Sequence, residues 1–367
     1  MRIAFHTPLN TFDDGRISGD RRMARQLIAI MQALGDVVEP IRDGRTYMRE
    51  PDAGAFAALR AEADARVGTL LSDWRDHGGA PDLWFTYHSY YKAPDLLGPA
   101  VAARLNIPYV VAEASDSERR AQGDWAQQVA CARKSFGTAA VHFCFTGRDR
   151  QGIAPWCGPA THLVDLPPFI EAASGPSPRA QQNDPPHLVA IGMMRPGNKH
   201  ESYLALAEAM ARLGDRPWRL SLFGDGAMRA GIEAAYAGFP PGRVTFHGAV
   251  DRALVAATLA QADLFVWPGL REAYGLVFLE AQAAGLPVVA FDSGGVPATL
   301  DRDVTGLLVP EGDIASFART LGGLLDDSER RRAMSAAAAR FVAQERGMDQ
   351  AGAIVARGLA LAGGVAP

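Results

Sequence analysis

Two glutamates, Glu272 and Glu280, flank a glycine in the run EAYGLVFLE (272–280). The residues before it, DLFVWP (263–268), read as a strand and those after it as a helix, so a helix begins near Gly275. The first amides of a helix lack intrahelical acceptors, and the aligned peptide dipoles add roughly half a positive charge at that end. The N–H groups of Gly275, Leu276 and Val277 are therefore suited to a diphosphate. Without a Cβ, Gly275 lets an anion approach the backbone closely, and Glu272 points past the phosphates toward whatever they carry. Glu280 lies further along the helix by about 7.5 Å, at roughly 1.5 Å per residue, which is the reach from a diphosphate to its ribose diol. The competing readings are a helix-capping acid for Glu272 and a solvated surface charge for Glu280.

Short apolar runs alternate with helical stretches through both halves, the pattern of parallel sheets covered by helices. The runs are RIAFH (2–6), VVEPI (37–41), LWFTY (83–87), PYVVAEA (108–114), AVHFCF (140–145) and THLVDL (161–166) in the first half. In the second they are HLVAIG (187–192), WRLSLFG (218–224), RVTFHG (243–248), DLFVWP (263–268), PVVAF (287–291) and GLLVP (306–310). Two doubly wound domains are predicted, 1–166 and 187–345. The Pro-, Ser- and Gln-containing segment 167–186 between them reads as an exposed connection. A terminal helix over 346–367 either covers the second domain or crosses back to the first.

A chain of 367 residues, 48% hydrophobic and 21% charged, is long enough for two full cores. Its net charge of −4 argues against nucleic acid as a partner. Three cysteines without a C-x-x-C pair support neither a disulfide framework nor a zinc site. The N-terminal residues lack a signal-peptide core and no run of about 18 apolar residues spans a bilayer, so a cytoplasmic location is expected. Peripheral contact with a membrane surface stays open. Arg16, Arg21, Arg22, Arg25, Arg42, Arg45 and Arg49 offer a surface for acidic lipid or acceptor, but Asp13, Asp14, Asp20, Asp43 and Glu50 interleave with them and favour a balanced surface.

The segment 272–280, with EAQAAGLPVVAFDSGGVPATL and TGLLVPEGD after it and LSLFGDGAMRAGIEAA (220–235) and VTFHGAV (244–250) before it, resembles the retaining glycosyltransferases of family 4, which have the GT-B fold. The resemblance covers most of 187–315 and, more weakly, the first half. It implies two Rossmann-like domains facing a central cleft and a nucleotide diphosphate sugar as donor. It implies contact of Glu272 with the donor-sugar hydroxyls and of Glu280 with the ribose. Gly192, Gly224, Gly226, Val250, Tyr274, Gly275, Leu276 and Val277 fall in the motifs that line the family's donor site. Arg195 and Lys199, in the loop and helix after HLVAIG, correspond to the family's two diphosphate-binding cations. The register is altered, with Arg195 three residues after Gly192 rather than directly following it. Ser18-Gly19 take the place of a Gly-Gly pair, and Gly19 is the candidate for backbone contact with phosphate.

One family feature is missing. Many members carry a histidine after the strand that here reads IPYVVAEASD (107–116), and no histidine occupies it. Glu113, Asp116 and His88 are the candidates to replace it. Transfer in the family is thought to occur on one face, with the leaving diphosphate taking the acceptor's proton, so the protein supplies charge and positioning. No metal is expected, and Asp301-Arg302-Asp303 fits D-x-D only in letters. The rival readings are another GT-B activity such as sugar-nucleotide epimerisation, and a sugar-nucleotide-binding partner protein with little catalysis. A nicotinamide-dependent dehydrogenase is disfavoured because neither half opens with G-x-G-x-x-G.

Overall fold

The computed structural model describes residues 1–11, 18–171 and 183–364. Arg16, Asp13, Asp14 and most of the expected connection lie outside the described residues. The chain forms two compact units, Met1–Pro167 with Met348–Pro367, and Pro168–Gly347.

The first unit runs β1 (Arg2–His6), α1 (Gly19–Ala33), β2 (Val37–Ile41), α2 (Ala53–His77), β3 (Leu83–Tyr90), α3 (Gly98–Leu105), β4 (Tyr109–Ser115), α4 (Ala126–Thr138), β5 (Val141–Cys144), α5 (Gly147–Ile153) and β6 (His162–Asp165). All six strands are parallel in the order β2-β1-β3-β4-β5-β6. Helices cover a parallel sheet, so its inner strands are largely apolar, as the fully buried Phe5, Phe85, Val110 and Phe143 show. Ser18 caps α1 by accepting from the Arg21 amide at 3.2 Å, and Asp20 in the first turn complements the helix dipole. Arg21, one of the clustered arginines, is buried rather than displayed. Arg45 donates to the Leu9 carbonyl at 2.9 Å.

The second unit runs β7 (His187–Ile191), α6 (Asn198–Ala211), β8 (Arg219–Phe223), α7 (Arg229–Tyr236), β9 (Val244–Gly248), α8 (Arg252–Leu259), β10 (Leu264–Val266), α9 (Leu276–Ala283), β11 (Val288–Asp292), β12 (Gly306–Pro310), α10 (Ile314–Asp326) and α11 (Ser328–Glu345). Its six parallel strands are ordered β12-β11-β10-β7-β8-β9. The described ends of the expected connection are not free of this unit. Phe169 and Ile170 are buried, Ile170 N–H donates to the Arg346 carbonyl at 2.9 Å, and the Asn183 side chain donates to Asp263 at 2.6 Å. Among the described residues no helix is long and apolar enough to cross a membrane.

The last helix, α12 (Met348–Ala362), belongs to the first unit and packs on α1, β5 and β6. Gly358 permits this approach, since a Cβ there would sit 2.3 Å from the Phe143 ring.

A charged cluster lies inside the first unit. Asp95 is fully buried, 3.2 Å from His6 Nδ1, and accepts from Thr86 at 2.5 Å, Tyr109 at 3.0 Å and the Leu97 and Gly98 amides at 3.0 Å each. Burial opposes the charge on Asp95, yet His6 and the donors around it hold its carboxyl at about 2. Removing one partner of such a cluster strands the others without water. Asp95→Ala should therefore destabilise the chain by about 3–5 kcal/mol, measured by urea unfolding. A loss within about 1 kcal/mol, the scale of an exposed pair, would show that the cluster is not a structural support.

Candidate functional site

In the second unit the strand order reverses between β7 and β10, so the connections leaving their carboxyl ends run to opposite sides. Open parallel sheets bind ligands at such a point. Each of these strands leads to a helix whose first residue follows a glycine, α6 after Gly197 and α9 after Gly275, and neither helix has a side-chain cap. Gly275 has φ +82°, and a Cβ on it would meet the Phe278 ring at 2.9 Å. The Phe278 amide makes the first turn's bond to the Gly275 carbonyl at 3.1 Å, so the Leu276 and Val277 amides precede it. Two helix amino ends thus serve the reversal point, as expected for holding an anion.

Between them stands an ion pair. Lys199, in the first turn of α6, bonds Glu272 Oε1, which also accepts from Trp267 Nε1 at 3.1 Å. The ammonium lies 5.6 Å from the centre of the Trp267 ring. Both side chains are largely enclosed, at 17% and 13% exposure for Lys199 and Glu272. The backbone at Glu272 is fixed from behind, where its carbonyl accepts from the Gly295 amide at 2.9 Å and a Cβ on Gly294 would lie 2.1 Å from the same oxygen. Sequence reasoning did not select Trp267, although a tryptophan closing a strand directly before the glutamate loop was the available signal.

The glycines of the neighbouring loops have a packing reason as well. Gly224 (φ +141°) and Gly226 (φ +148°) let two loops meet backbone to backbone, since a Cβ would come within 1.8 Å of the Gly192 carbonyl oxygen and 2.4 Å of the Met194 carbonyl oxygen, respectively. Arg195 is exposed, and among the described residues its side chain makes no hydrogen bond or ion pair. Glu280 is partly exposed in the second turn of α9, with Arg252 Nη2 at 3.8 Å. Val250, packed against the core, lies two residues before Arg252, so the β9–α8 connection meets α9 at Glu280. Tyr274 and Leu276 are buried and Val277 partly so.

In the first unit the reversal falls between β1 and β3. There His88 on β3 has its Nδ1 3.4 Å from Asp20 of α1 and 3.7 Å from Glu113 of β4. His88 (φ +63°) and Glu113 (φ +57°) are both left-handed non-glycine residues, a strain of about 1–3 kcal/mol each that tends to mark functional positions. Burial works against a charged imidazole, but Glu113 and Asp20 outweigh it and raise His88 from 6.5 to about 9. Burial raises Glu113 from 4.5 to about 7 against the pull of His88. Asp116 is not in this cluster, because Arg133 holds it with two bonds of 2.8 Å. Gly19 begins α1 with open space where a Cβ would lie, so the fold does not itself demand glycine there. Asp20, missed as a site residue, follows it directly. Asp301-Arg302-Asp303 forms a turn in which Arg302 pairs with Asp292.

These features define an α/β architecture of two Rossmann-like units, that of the GT-B glycosyltransferases. Sucrose-phosphate synthase from Thermosynechococcus elongatus has this fold, with a TM-score of 0.73 at 20% identity over 97% of each chain. Residues 185–327 match the family described as Glycosyl transferases group 1, and this segment belongs to that group. A GDP-mannose-dependent alpha-(1-6)-phosphatidylinositol monomannoside mannosyltransferase of Mycobacterium tuberculosis is 30% identical over 222 residues, 56% of this chain and 57% of that protein. The chain thus spans little over half the length of that relative. A 2-deoxystreptamine glucosyltransferase of Streptomyces kanamyceticus is 28% identical over 291 residues, 73% of each chain.

The His88 cluster has a pH signature. Both raised groups bind protons more tightly in the folded chain. The stability His88 contributes is complete below 6.5 and lost as pH rises through about 9, and that of Glu113 is complete below 4.5 and lost through about 7. The melting temperature should therefore decline across this range, and Glu113→Gln should flatten the part below about pH 7. Parallel curves for the variant and the parent would contradict the assignment.

Proposed function

We propose that the chain is a retaining, metal-independent glycosyltransferase that moves a sugar from a UDP- or GDP-linked donor to a glycan, lipid-linked or small-molecule acceptor. The observation that carries this reading is the enclosed Lys199–Glu272 pair between two uncapped helix amino ends at the strand reversal. Such a place suits a group with a diphosphate at one end and hydroxyls at the other. The α9 amides and Lys199 neutralise the diphosphate, with the exposed Arg195 a second cation, and Glu280 takes the ribose hydroxyls. Glu272 accepts from the donor-sugar hydroxyls, held in place by Trp267. Gly192, Gly224 and Gly226 keep the surrounding loops close.

In the transfer, the bond from the sugar C1 to the β-phosphate oxygen breaks and the acceptor oxygen bonds to C1 on the same face. The departing diphosphate takes the acceptor's proton. His88 and Glu113 are the groups read as positioning the acceptor hydroxyl, and Asp116 supports that loop through Arg133. The match of 185–327 to group 1 and the donor named for the mycobacterial mannosyltransferase support a nucleotide-linked sugar.

Glu280→Ala should weaken UDP or GDP binding about ten- to a hundredfold, the loss of a hydrogen bond to a charged group. Glu272→Ala should leave nucleotide affinity within about threefold, under 1 kcal/mol, and depress turnover more. Calorimetry giving parental nucleotide affinity for Glu280→Ala would remove the ribose assignment. Transfer should also persist in excess EDTA, because helix ends and cationic side chains carry the charge. Its abolition by chelation and recovery with magnesium or manganese would refute metal independence.

A further inference from the structure

In the second unit β12, β11, β10 and β7 lie side by side, and their carboxyl ends open on the edge where Lys199 meets Glu272. In the register of β11 with β12, Asp292 is opposite Pro310, so the next residues, Ser293 and Glu311, leave the sheet as neighbours. The Ser293 hydroxyl donates to Glu311 at 2.6 Å and accepts from the Arg271 amide, in the loop after β10, at 2.7 Å. Arg271 is followed by Glu272, which bonds Lys199 from the helix after β7. A continuous row of linked groups thus crosses these strand ends and finishes at the ion pair.

The backbone of 269–272 shows why a hydroxyl belongs in this row. Arg271 has φ +52°, a conformation that few residues other than glycine adopt. Glu272 N–H turns back to the Gly269 carbonyl at 3.3 Å. The amides between them are taken by two buried serine hydroxyls, Leu270 by Ser202 at 3.1 Å and Arg271 by Ser293 at 2.7 Å. The serines differ in what they hold. Ser202, with its hydroxyl bonded to the Asn198 carbonyl at 2.8 Å, ties the loop to α6. Ser293 takes the amide of the left-handed residue itself, one position before Glu272. A hydroxyl has one proton, and since Glu311 receives it, the oxygen presents a lone pair to Arg271. The other holds on Arg271 are exposed ones, Asn198 on its carbonyl at 3.4 Å and Glu201 on its guanidinium. Ser293 is therefore the buried support of this conformation.

Resting on the glycosyltransferase reading, we infer that Ser293, oriented by Glu311, is a positioning residue for transfer. It holds Arg271 in the left-handed conformation that sets Glu272 against Lys199 and Trp267, and so fixes the carboxylate that meets the donor sugar. It acts through Glu272 and touches no substrate.

Calorimetry on the full chain with UDP, GDP, UDP-glucose, UDP-N-acetylglucosamine and GDP-mannose gives the affinity of the tightest-bound sugar nucleotide relative to its free nucleotide. Ser293→Ala should lower that ratio about fivefold, the loss of one hydrogen bond, and leave the free nucleotide within about twofold. Glu272→Ala should lower the ratio too. Adding Ser293→Ala to it should change the ratio by less than about twofold, since a residue acting through Glu272 then has nothing to position. Glu311 is exposed, so its replacement spares the core and decides the matter where Ser293→Ala does not fold. Glu311→Ala should lower the ratio about threefold, and Glu311→Gln, whose amide oxygen still accepts the serine proton, should restore it.

A ratio lowered by Glu272→Ala but unchanged in Ser293→Ala and Glu311→Ala would overturn the positioning role alone. So would equal losses for sugar nucleotide and free nucleotide, or losses that multiply in the double variant. A ratio untouched by Glu272→Ala defeats the assignment of Glu272 to the sugar, and with it the role of Ser293. Failure of the parent to bind any of the sugar nucleotides defeats the donor reading itself.

Discussion

Parallel strands cannot be joined by hairpins, so every connection in these sheets returns across a face and delivers its loop to the same edge. Where the order reverses, adjacent loops diverge and leave space that no side chain of the sheet fills. The arrangement of the second unit follows from that vacancy. Strands β7 and β10 bring Lys199 and Glu272 to it, and the close packing of Gly192 with Gly224 and of Gly294 with Glu272 keeps the rest of the backbone out of the way. Larger residues at these glycines would push the loops apart and take the glutamate with them.

Three enclosed charge groups show how differently a fold can use the same elements. Asp95 is saturated with donors deep in the first unit, with His6 beside it turning Nε2 to the Gly44 carbonyl. Lys199 and Glu272 balance one another at the edge of a sheet, with tryptophan fixing one carboxylate oxygen and leaving the other available for exchange. His88 stands between two acids, Asp20 and Glu113, and it and Glu113 occupy strained backbone. The strain at those two positions offsets part of what the charge pairing contributes.

All twelve strands were readable as apolar runs, the inner ones most plainly because they are buried on both faces while β2, β6 and β9 at the edges are only partly buried, and only their ends moved, as where β3 continues from Tyr87 to Tyr90. The start of α9 was readable from Gly275, since a left-handed residue before an apolar helix has few alternatives to glycine. Other features depend on distance in space. Nothing near Asp116 announces Arg133, which approaches from the next helix, and nothing near Lys199 announces Trp267. The left-handed backbone at His88 and Glu113 was invisible because neither is a residue that signals such a conformation. Where α12 packs was open for a simpler reason, as an apolar helical face fits many surfaces until the shape of Phe143 against Gly358 selects one.

That last helix has a consequence for how the chain is made. The first unit is interrupted in sequence by the whole of the second, and α12, which belongs to the first, is synthesised only after the second. During synthesis the second unit has all its residues available while the first still shows the bare surface of α1, β5 and β6 that α12 will cover. The earlier-born half is thus the later to be finished, sealed by α12 like a lid closed after packing. Cutting the gene at the obvious midpoint would yield a second half that retains its own sheet and a first half missing part of its wall.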